Sequence, residues 1–261
     1  MTPPIQNKRW QIAARITPEA ERALAEFPPY LRQILFNRGY ATAESAQEYL
    51  QAEYPHGTQP FHLKDMDAAV ERILNAIERR QSIAVYGDYD ADGVTATALL
   101  VQYLGGIGAD VRGYIPNRFD EGYGLNNEAL SQLKDDGVKL VISVDCGIRS
   151  PDEALHARTI GLDLIITDHH HPSEGFLPPA LAVINPKQPG DVYPDKDLAG
   201  VGIAYKLAEA LMGSQQPARS FQLTSLLDLV ALGTVADLAP LVGENRFLVR
   251  RGLRQMRETT R

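Results

Sequence analysis

Five short apolar runs, at residues 82–86, 111–115, 140–144, 164–167 and 181–184, alternate with segments of helical periodicity. Runs this short, rich in Val and Ile and without polar alternation, are strands buried on both faces. Separated by helices, they predict an α/β fold: a doubly wound, mostly parallel five-stranded sheet with helices on both faces. The helix before the first run is legible in Val70, Ile73, Leu74 and Ile77, which recur at helical spacing and give way to Glu78-Arg79-Arg80.

Ahead of the sheet, residues 1–64 read as a small helical N-terminal segment. Thr17 is placed as an N-cap with Pro18 at the first helical position, opening a helix over residues 19–27 that Pro28-Pro29 ends. Two more helices are expected over residues 30–37, stopped by Gly39, and from Thr42 to the neighbourhood of Leu50.

A chain of 261 residues, 44% hydrophobic, is long enough to bury a substantial core. It contains no apolar run near the roughly 20 residues that span a bilayer, so no membrane association is expected. Met1-Thr2-Pro3-Pro4 and Lys8-Arg9 are not followed by the apolar stretch of a signal peptide. Cys146 is the one cysteine, which excludes an internal disulfide and fits a reducing, cytoplasmic location. A net charge of −7 argues against a simple polycationic nucleic-acid binder, unless carboxylates are offset by bound cations.

In open parallel sheets, ligands bind beyond the carboxyl ends of the strands. Four predicted strands deliver hard donors to that edge: Asp88, Asp90 and Asp92, then Asp145, then Asp168, His169, His170 and His171, then Asn185. The segment Asp88-Tyr89-Asp90-Ala91-Asp92-Gly93 matches the first half of an EF-hand calcium loop, but the glutamate required at the twelfth position is Leu99. Three carboxylates at a strand-to-helix junction repel one another unless a cation sits among them, which favours a metal site over a solvated acidic turn.

Asp145 alone would pass for a helix cap or a structural carboxylate, and Cys146 for a small buried hydrophobe. Successive histidines point in different directions, so one or two face a metal and His171 is peripheral. Asp237 lies in the apolar stretch 226–239, where an unpaired buried acid is costly; Asp228, in the same stretch, is expected on an exposed helix surface. Carboxylates with one imidazole suit Mn²⁺ or Mg²⁺ better than zinc. Two such ions roughly 3.5–4 Å apart activate water for in-line phosphoryl displacement. Composition and spacing do not by themselves select phosphate over the other substrates of paired-metal hydrolases.

Tyr86-Gly87-Asp88-Tyr89-Asp90-Ala91-Asp92-Gly93-Val94-Thr95 resembles motif I of RecJ nucleases, of the DHH phosphoesterase family. Ser143-Val144-Asp145-Cys146-Gly147 resembles motif II, Asp168-His169-His170 the triplet that names the family, and Gly233-Thr234-Val235-Ala236-Asp237 motif IV. Val183-Ile184-Asn185-Pro186-Lys187, the stretch from Leu198 to Leu207 and Arg38-Gly39-Tyr40 are similar too, so the resemblance covers nearly the whole chain.

The resemblance implies a DHH catalytic domain over residues 65–243 holding two divalent cations, Mn²⁺ or Mg²⁺. Asp90 would hold one and Asp92 the other, with Asp145 bridging them and His169 and Asp237 completing the coordination of the second ion. Many relatives carry a histidine four residues before Asp90; Tyr86 stands there, and Asp88 would assist at the first ion. His170 would contact the scissile phosphate or protonate the leaving oxygen, and Asp168 would orient a neighbouring imidazole. Asn185 and Gly202 are assigned to substrate, the latter because the Gly200-Val201-Gly202 turn into a helix can receive phosphate.

The implied activity is a 5′-to-3′ single-stranded-DNA exonuclease, releasing 5′-mononucleotides in DNA repair and recombination by two-metal activation of water. Implied partners are single-stranded DNA and a single-strand-binding protein or a helicase. Residues 244–261, with Arg250, Arg254, Arg257 and Arg261 on one face, would begin a connecting helix to a C-terminal domain missing from this sequence.

Two rivals keep part of this picture: a DHH phosphodiesterase for oligoribonucleotides or cyclic dinucleotides, and a non-catalytic RecJ-like replication scaffold. The scaffold would be expected to have lost metal ligands, all of which stand here. A dinucleotide fingerprint fails at Tyr205, where a third glycine is required, and no P-loop sequence is present.

Overall fold

The computed structural model describes residues 11–117, 122, 124–173, 175–214 and 221–258. The opening residues scanned for a signal peptide, and Arg261, lie outside the described residues. The chain divides into two compact units, Met1–Glu53 and Tyr54–Arg261.

Among its described residues the first unit carries three helices, α1 (Pro18–Ala23), α2 (Pro29–Asn37) and α3 (Ala43–Gln51). The Thr17 side chain caps α1 by accepting from the Ala20 amide, and Thr42 and Ser45 form a reciprocal capping box on α3. Helix α1 ends at Ala23 rather than running to residue 27, because Leu24 turns inward to join Leu35 and Ala46 in a small core. Tyr40 stacks on Tyr49 beside it, with ring centroids 4.2 Å apart.

The second unit opens with a short 3-10 turn and α4 (Met66–Glu78), then β1 (Ile83–Gly87), α5 (Ala91–Gly106), β2 (Val111–Tyr114), α6 (Asn127–Asp135) and β3 (Leu140–Val144). It continues through α7 (Pro151–Thr159), β4 (Asp163–Thr167), β5 (Ala182–Ile184), α8 (Gly200–Ser214), α9 (Leu227–Ala236) and α10 (Gly243–Gln255). The five strands are wholly parallel, in the order β2-β1-β3-β4-β5. Alternate residues sort cleanly to two faces. Val85, Ile142, Ile165 and Ile184 pack under α4, α5 and α8, while Tyr86, Val141, Ile166 and Val183 pack under α6 and α7. This is the doubly wound arrangement the sequence predicts.

Register explains the site. Gly87 pairs with Val144, Val144 with Thr167, and Thr167 with Ile184. Four strands therefore end at one level, and Asp88, Asp145, Asp168 and Asn185 are the residues that follow them. Tyr54 and Thr58, which open the second unit, bond to Lys206 of α8. Helix α10 packs on α9 within that unit: a Cβ added at Gly252 would stand 2.0 Å from the Leu227 carbonyl.

Candidate metal centre

Beyond β1 the chain turns at once into α5. Asp90 is the N-cap, its Oδ1 accepting from the amides of Asp92 and Gly93 at 2.9 and 3.0 Å. Asp88 is buried and Asp90 exposed; the two converge with Asp145 into one group whose ligand atoms lie within 4.8 Å of one another. Asp92 points the other way, off the first turn of α5, and forms a second group with His169 and Asp237. Asp145 also groups with His169 and His170, so it stands between the two sets.

His169 is the hinge of the arrangement. Its Nε2 lies 3.1 Å from Asp145 Oδ1, 3.9 Å from Asp237 Oδ2 and 4.0 Å from Asp92 Oδ2. Both His169 Nε2 and Asp145 Oδ1 are buried without a hydrogen-bond partner. Orphaned donors and acceptors of this kind are rare in folded proteins and ask for a missing partner. Burial, followed by the charges of Asp92, Asp90 and Asp168, pushes Asp145 up to about 10. Burial likewise raises Asp92 to about 6, even though the amides of Val201 and Gly200 and the nearby His169 oppose it. Burial pushes His169 down, towards the neutral form that binds metals. Hard oxygens, one neutral imidazole and an unbalanced cluster of carboxylates fit divalent Mn²⁺ or Mg²⁺.

Asp168 faces away from this cluster. Its Oδ2 accepts from the Ile148 amide at 2.9 Å, and its Oδ1 from the His170 amide and from His170 Nδ1, at 3.0 and 2.8 Å. Burial would raise it, but these bonds outweigh the penalty and hold it below the usual carboxylate range. In return, the Asp168 bond raises His170, against burial and the nearby Arg149 charge. The ring is thereby fixed with Nδ1 on Asp168.

The segment 82–234 matches a family model described as "DHH family, N-terminal domain". This chain belongs to the DHH family. It is 45% identical, over 97% of its length, to the single-stranded-DNA-specific exonuclease RecJ of Bacillus subtilis, and 39% identical, over 95%, to that of Escherichia coli. It spans 31% and 44% of those two proteins, less than half of either. The crystal structure of RecJ from Thermus thermophilus in complex with Mn²⁺ superposes with a TM-score of 0.74 at 32% identity, covering 95% of this chain and 35% of that one.

Within this DHH site, several residues are placed differently from the sequence expectation. The α8 amides assigned to phosphate are engaged by protein instead: Gly200 and Val201 donate to the two oxygens of Asp92 at 2.7 and 2.8 Å. Gly202 is buried within α8, and a Cβ built on it would meet Leu198. Asn185, assigned to substrate, is fully buried, with Nδ2 donating to the His170 carbonyl and Oδ1 accepting from the Lys187 amide. Asp228 is buried rather than exposed, and Asp237, at the end of α9, keeps 26% of its side chain open. His171, expected to be peripheral, is exposed, its carbonyl accepting from Arg149. Tyr86 lies on the α6 face, where its hydroxyl donates to the Gly124 carbonyl and accepts from Asn126, so its ring does not stand in for a metal-binding histidine.

Sequence reasoning missed the steric fit around the carboxylates. A Cβ on Gly200 would stand 2.8 Å from Asp145 Oδ1, and one on Gly233 would stand 2.9 Å from Asp92 Oδ1 and 2.3 Å from Thr95 Oγ1. It also missed a buried ion pair, Lys206–Glu244 at 3.0 Å, whose only trace is a lone cation in the apolar run Ile203-Ala204-Tyr205-Lys206-Leu207.

Proposed function

We propose that this chain forms the catalytic region of a metal-dependent phosphodiesterase that releases 5′-mononucleotides from the 5′ end of single-stranded DNA. The observation that carries the proposal is the pair of orphaned buried atoms, Asp145 Oδ1 and His169 Nε2, at the junction of two carboxylate groups. The names of the RecJ relatives supply the substrate class, and their crystal structures with manganese and with Mg²⁺ supply the metal.

In this reading Asp88, Asp90 and Asp145 hold one divalent cation, and Asp92, His169 and Asp237 the other. When bound, such a pair activates water and stabilises negative charge on the phosphoryl oxygens. The protein's own part is orientation and proton delivery. Asp168 fixes the His170 ring through Nδ1 and raises its basicity, so Nε2 carries a proton towards the leaving 3′-oxygen. Asn185 holds the His170 backbone in place from below. A cytoplasmic site of action and partnership with a single-strand-binding protein or a helicase belong to the same reading. No helix among the described residues is long and apolar enough to cross a membrane.

The test is incubation with 5′-labelled and 3′-labelled single-stranded DNA in Mn²⁺, in Mg²⁺ and in chelator. Metal-dependent release of labelled mononucleotide from the 5′ end only is the expected result. Hydrolysis of oligoribonucleotides or cyclic dinucleotides with no action on DNA would replace the substrate and leave the chemistry.

A further inference from the structure

The first turn of α10 joins two segments that each lead to the metal centre. Asn245 is fully buried there, and both protons and the oxygen of its amide are used. Nδ2 donates to the Asp197 carbonyl at 2.6 Å and to the Pro240 carbonyl at 3.2 Å, while Oδ1 accepts from the Ala199 amide at 3.4 Å. Only one orientation of a buried amide satisfies two carbonyls and an N–H at once, so this side chain fixes the two segments relative to one another.

Those segments place the ligands of one ion. Ala199 precedes Gly200 and Val201, whose amides grip the two oxygens of Asp92 at 2.7 and 2.8 Å. Pro240 lies just past Asp237, across a turn in which Leu238 is held at a φ of 59°. Asp92, His169 and Asp237 offer ligand atoms within 4.8 Å of one another, so the spacing between the start of α8 and the end of α9 sets the width of that group. The tolerance is small. A Cβ on Gly233 of α9 would stand 2.9 Å from Val201 Cγ1 of α8, and one on Gly200 would stand 2.8 Å from Asp145 Oδ1. The turn that carries Asn245 is itself secured: the Glu244 amide donates to Asp195 Oδ2 at 2.7 Å, and Leu248 and Val249 are buried in the turn that follows. Asp88, Asp90 and Asp145, the other group, follow β1 and β3, and none of the three Asn245 bonds goes to those segments.

We propose that Asn245 is a positioning residue for the metal centre: by joining the entry of α8 to the turn after Asp237, it holds Asp92 and Asp237 at the spacing one divalent cation needs. The inference rests on the two-ion reading above. Asn245 bonds to no ligand atom and acts through Asp92 and Asp237, so its loss is felt at one ion and not at the other.

The experiment titrates Mn²⁺ into the full chain, with calorimetry for affinity and electron paramagnetic resonance for pairing, since two ions sharing a carboxylate give a coupled spectrum and a lone ion does not. It is repeated with Asn245→Ala, with Asn245→Asp, which keeps the volume but can donate to one carbonyl at most, and with Leu248→Ala, which leaves a cavity in the core under the same helix. Circular dichroism first establishes which variants are folded; the milder Asn245→Asp decides the matter if Asn245→Ala is not. Asn245→Ala should weaken one ion by roughly 10–100-fold, the range for groups that orient metal ligands from behind. The other ion should stay at parent affinity, and the coupled spectrum should give way to that of a lone ion. Asn245→Asp should fall between parent and Asn245→Ala, and Leu248→Ala should bind both ions as the parent does. Parent affinity for both ions in the Asn245 variants, or the same loss in Leu248→Ala, overturns the proposal and leaves Asn245 a residue of the fold alone. A parent chain that takes up a single ion overturns the two-ion reading and the proposal with it, so the parent titration tells the two failures apart.

Discussion

Asp145 sits at the centre of the donor cluster with a backbone φ of 60°, a left-handed conformation that non-glycine residues seldom adopt. The turn throws its carboxylate across the strand ends towards His169, where burial and three other aspartates oppose its ionisation. With a folded value of about 10 against an ordinary 3.8, the native chain holds a proton that the unfolded chain releases. Its contribution to stability is therefore full in acid and lost as pH rises towards 10. His170, raised above its ordinary 6.5, changes in the same direction; His169, lowered, acts in the opposite direction only as pH falls through 6.5. Between pH 7 and 9 the chelator-treated protein should thus melt at progressively lower temperature, with a shallower slope in Asp145→Asn. Mn²⁺ binding at pH 8 should release about one proton, since ligands must be deprotonated to bind. Thermal scans and calorimetry in two buffers of different ionisation heat check both points.

Asn185 shows a different role at the same scale. It touches no candidate ligand atom, yet it satisfies the His170 carbonyl from a fully buried position. Asn185→Ala should cost about 1–3 kcal/mol of stability by leaving that group unmet. Cleavage should fall ~10-fold, the equivalent of ~1.4 kcal/mol in the barrier, while Mn²⁺ affinity stays at the parent value. A parallel loss of metal binding would show that Asn185 supports the cluster itself rather than His170.

At the scale of elements, α8 does most to organise the site. Its first two amides grip both oxygens of Asp92, so the positive end of a helix holds a candidate metal ligand in place. One and a half turns later, Lys206 anchors the same helix. Its Nζ reaches the Tyr54 hydroxyl, the Thr58 carbonyl and Glu244 of α10, and Tyr193 donates to that glutamate as well. Burial alone would favour a neutral amine, but Glu244 and Glu209 outweigh it and keep the ammonium charged. Lys206→Met would strand Glu244 in the interior, a change that typically costs about 3–5 kcal/mol. The double variant Lys206→Met/Glu244→Leu should recover most of that loss, because it removes both charges. Chemical denaturation of the three proteins measures the difference; an equally unstable double variant would mean the cluster's hydroxyl and carbonyl partners matter more than its charges.

At the scale of the whole molecule, every candidate ligand lies in the unit from Tyr54 onward, and none among the described residues of the three-helix unit that precedes it. A chain reduced to residues 54–261 should therefore bind Mn²⁺ with unchanged affinity, measured by calorimetry. Weaker binding would assign the first unit a part in holding the metal site together.

The architecture and the location of the chemistry are legible in the order of the residues alone. Short Val/Ile runs between helices read as strands covered on both sides. That holds for β1, β3, β4 and β5 but not for the edge strand β2, where Arg112 and Gly113 are exposed. Asp88, Asp145, Asp168 and His169, which follow the covered runs, fall at a strand edge whatever the details of packing. Both conclusions depend on chain-local patterns, which a linear sequence records in full. What each polar group meets depends on packing between distant segments. Asn185 and Asp145 occupy equivalent positions at the ends of their strands, yet one is consumed by backbone and the other is left facing an imidazole. The Gly200 turn has the local form of a phosphate site, and what fills it is Asp92, more than a hundred residues away in sequence. Asp228 and Asp237 share one apolar run, and the expectation of an exposed Asp228 gives way once α9 docks, which turns Asp228 inward and leaves Asp237 at the rim. Hydrogen-bond partners and burial are set by contacts distant in sequence, and no local spacing encodes them.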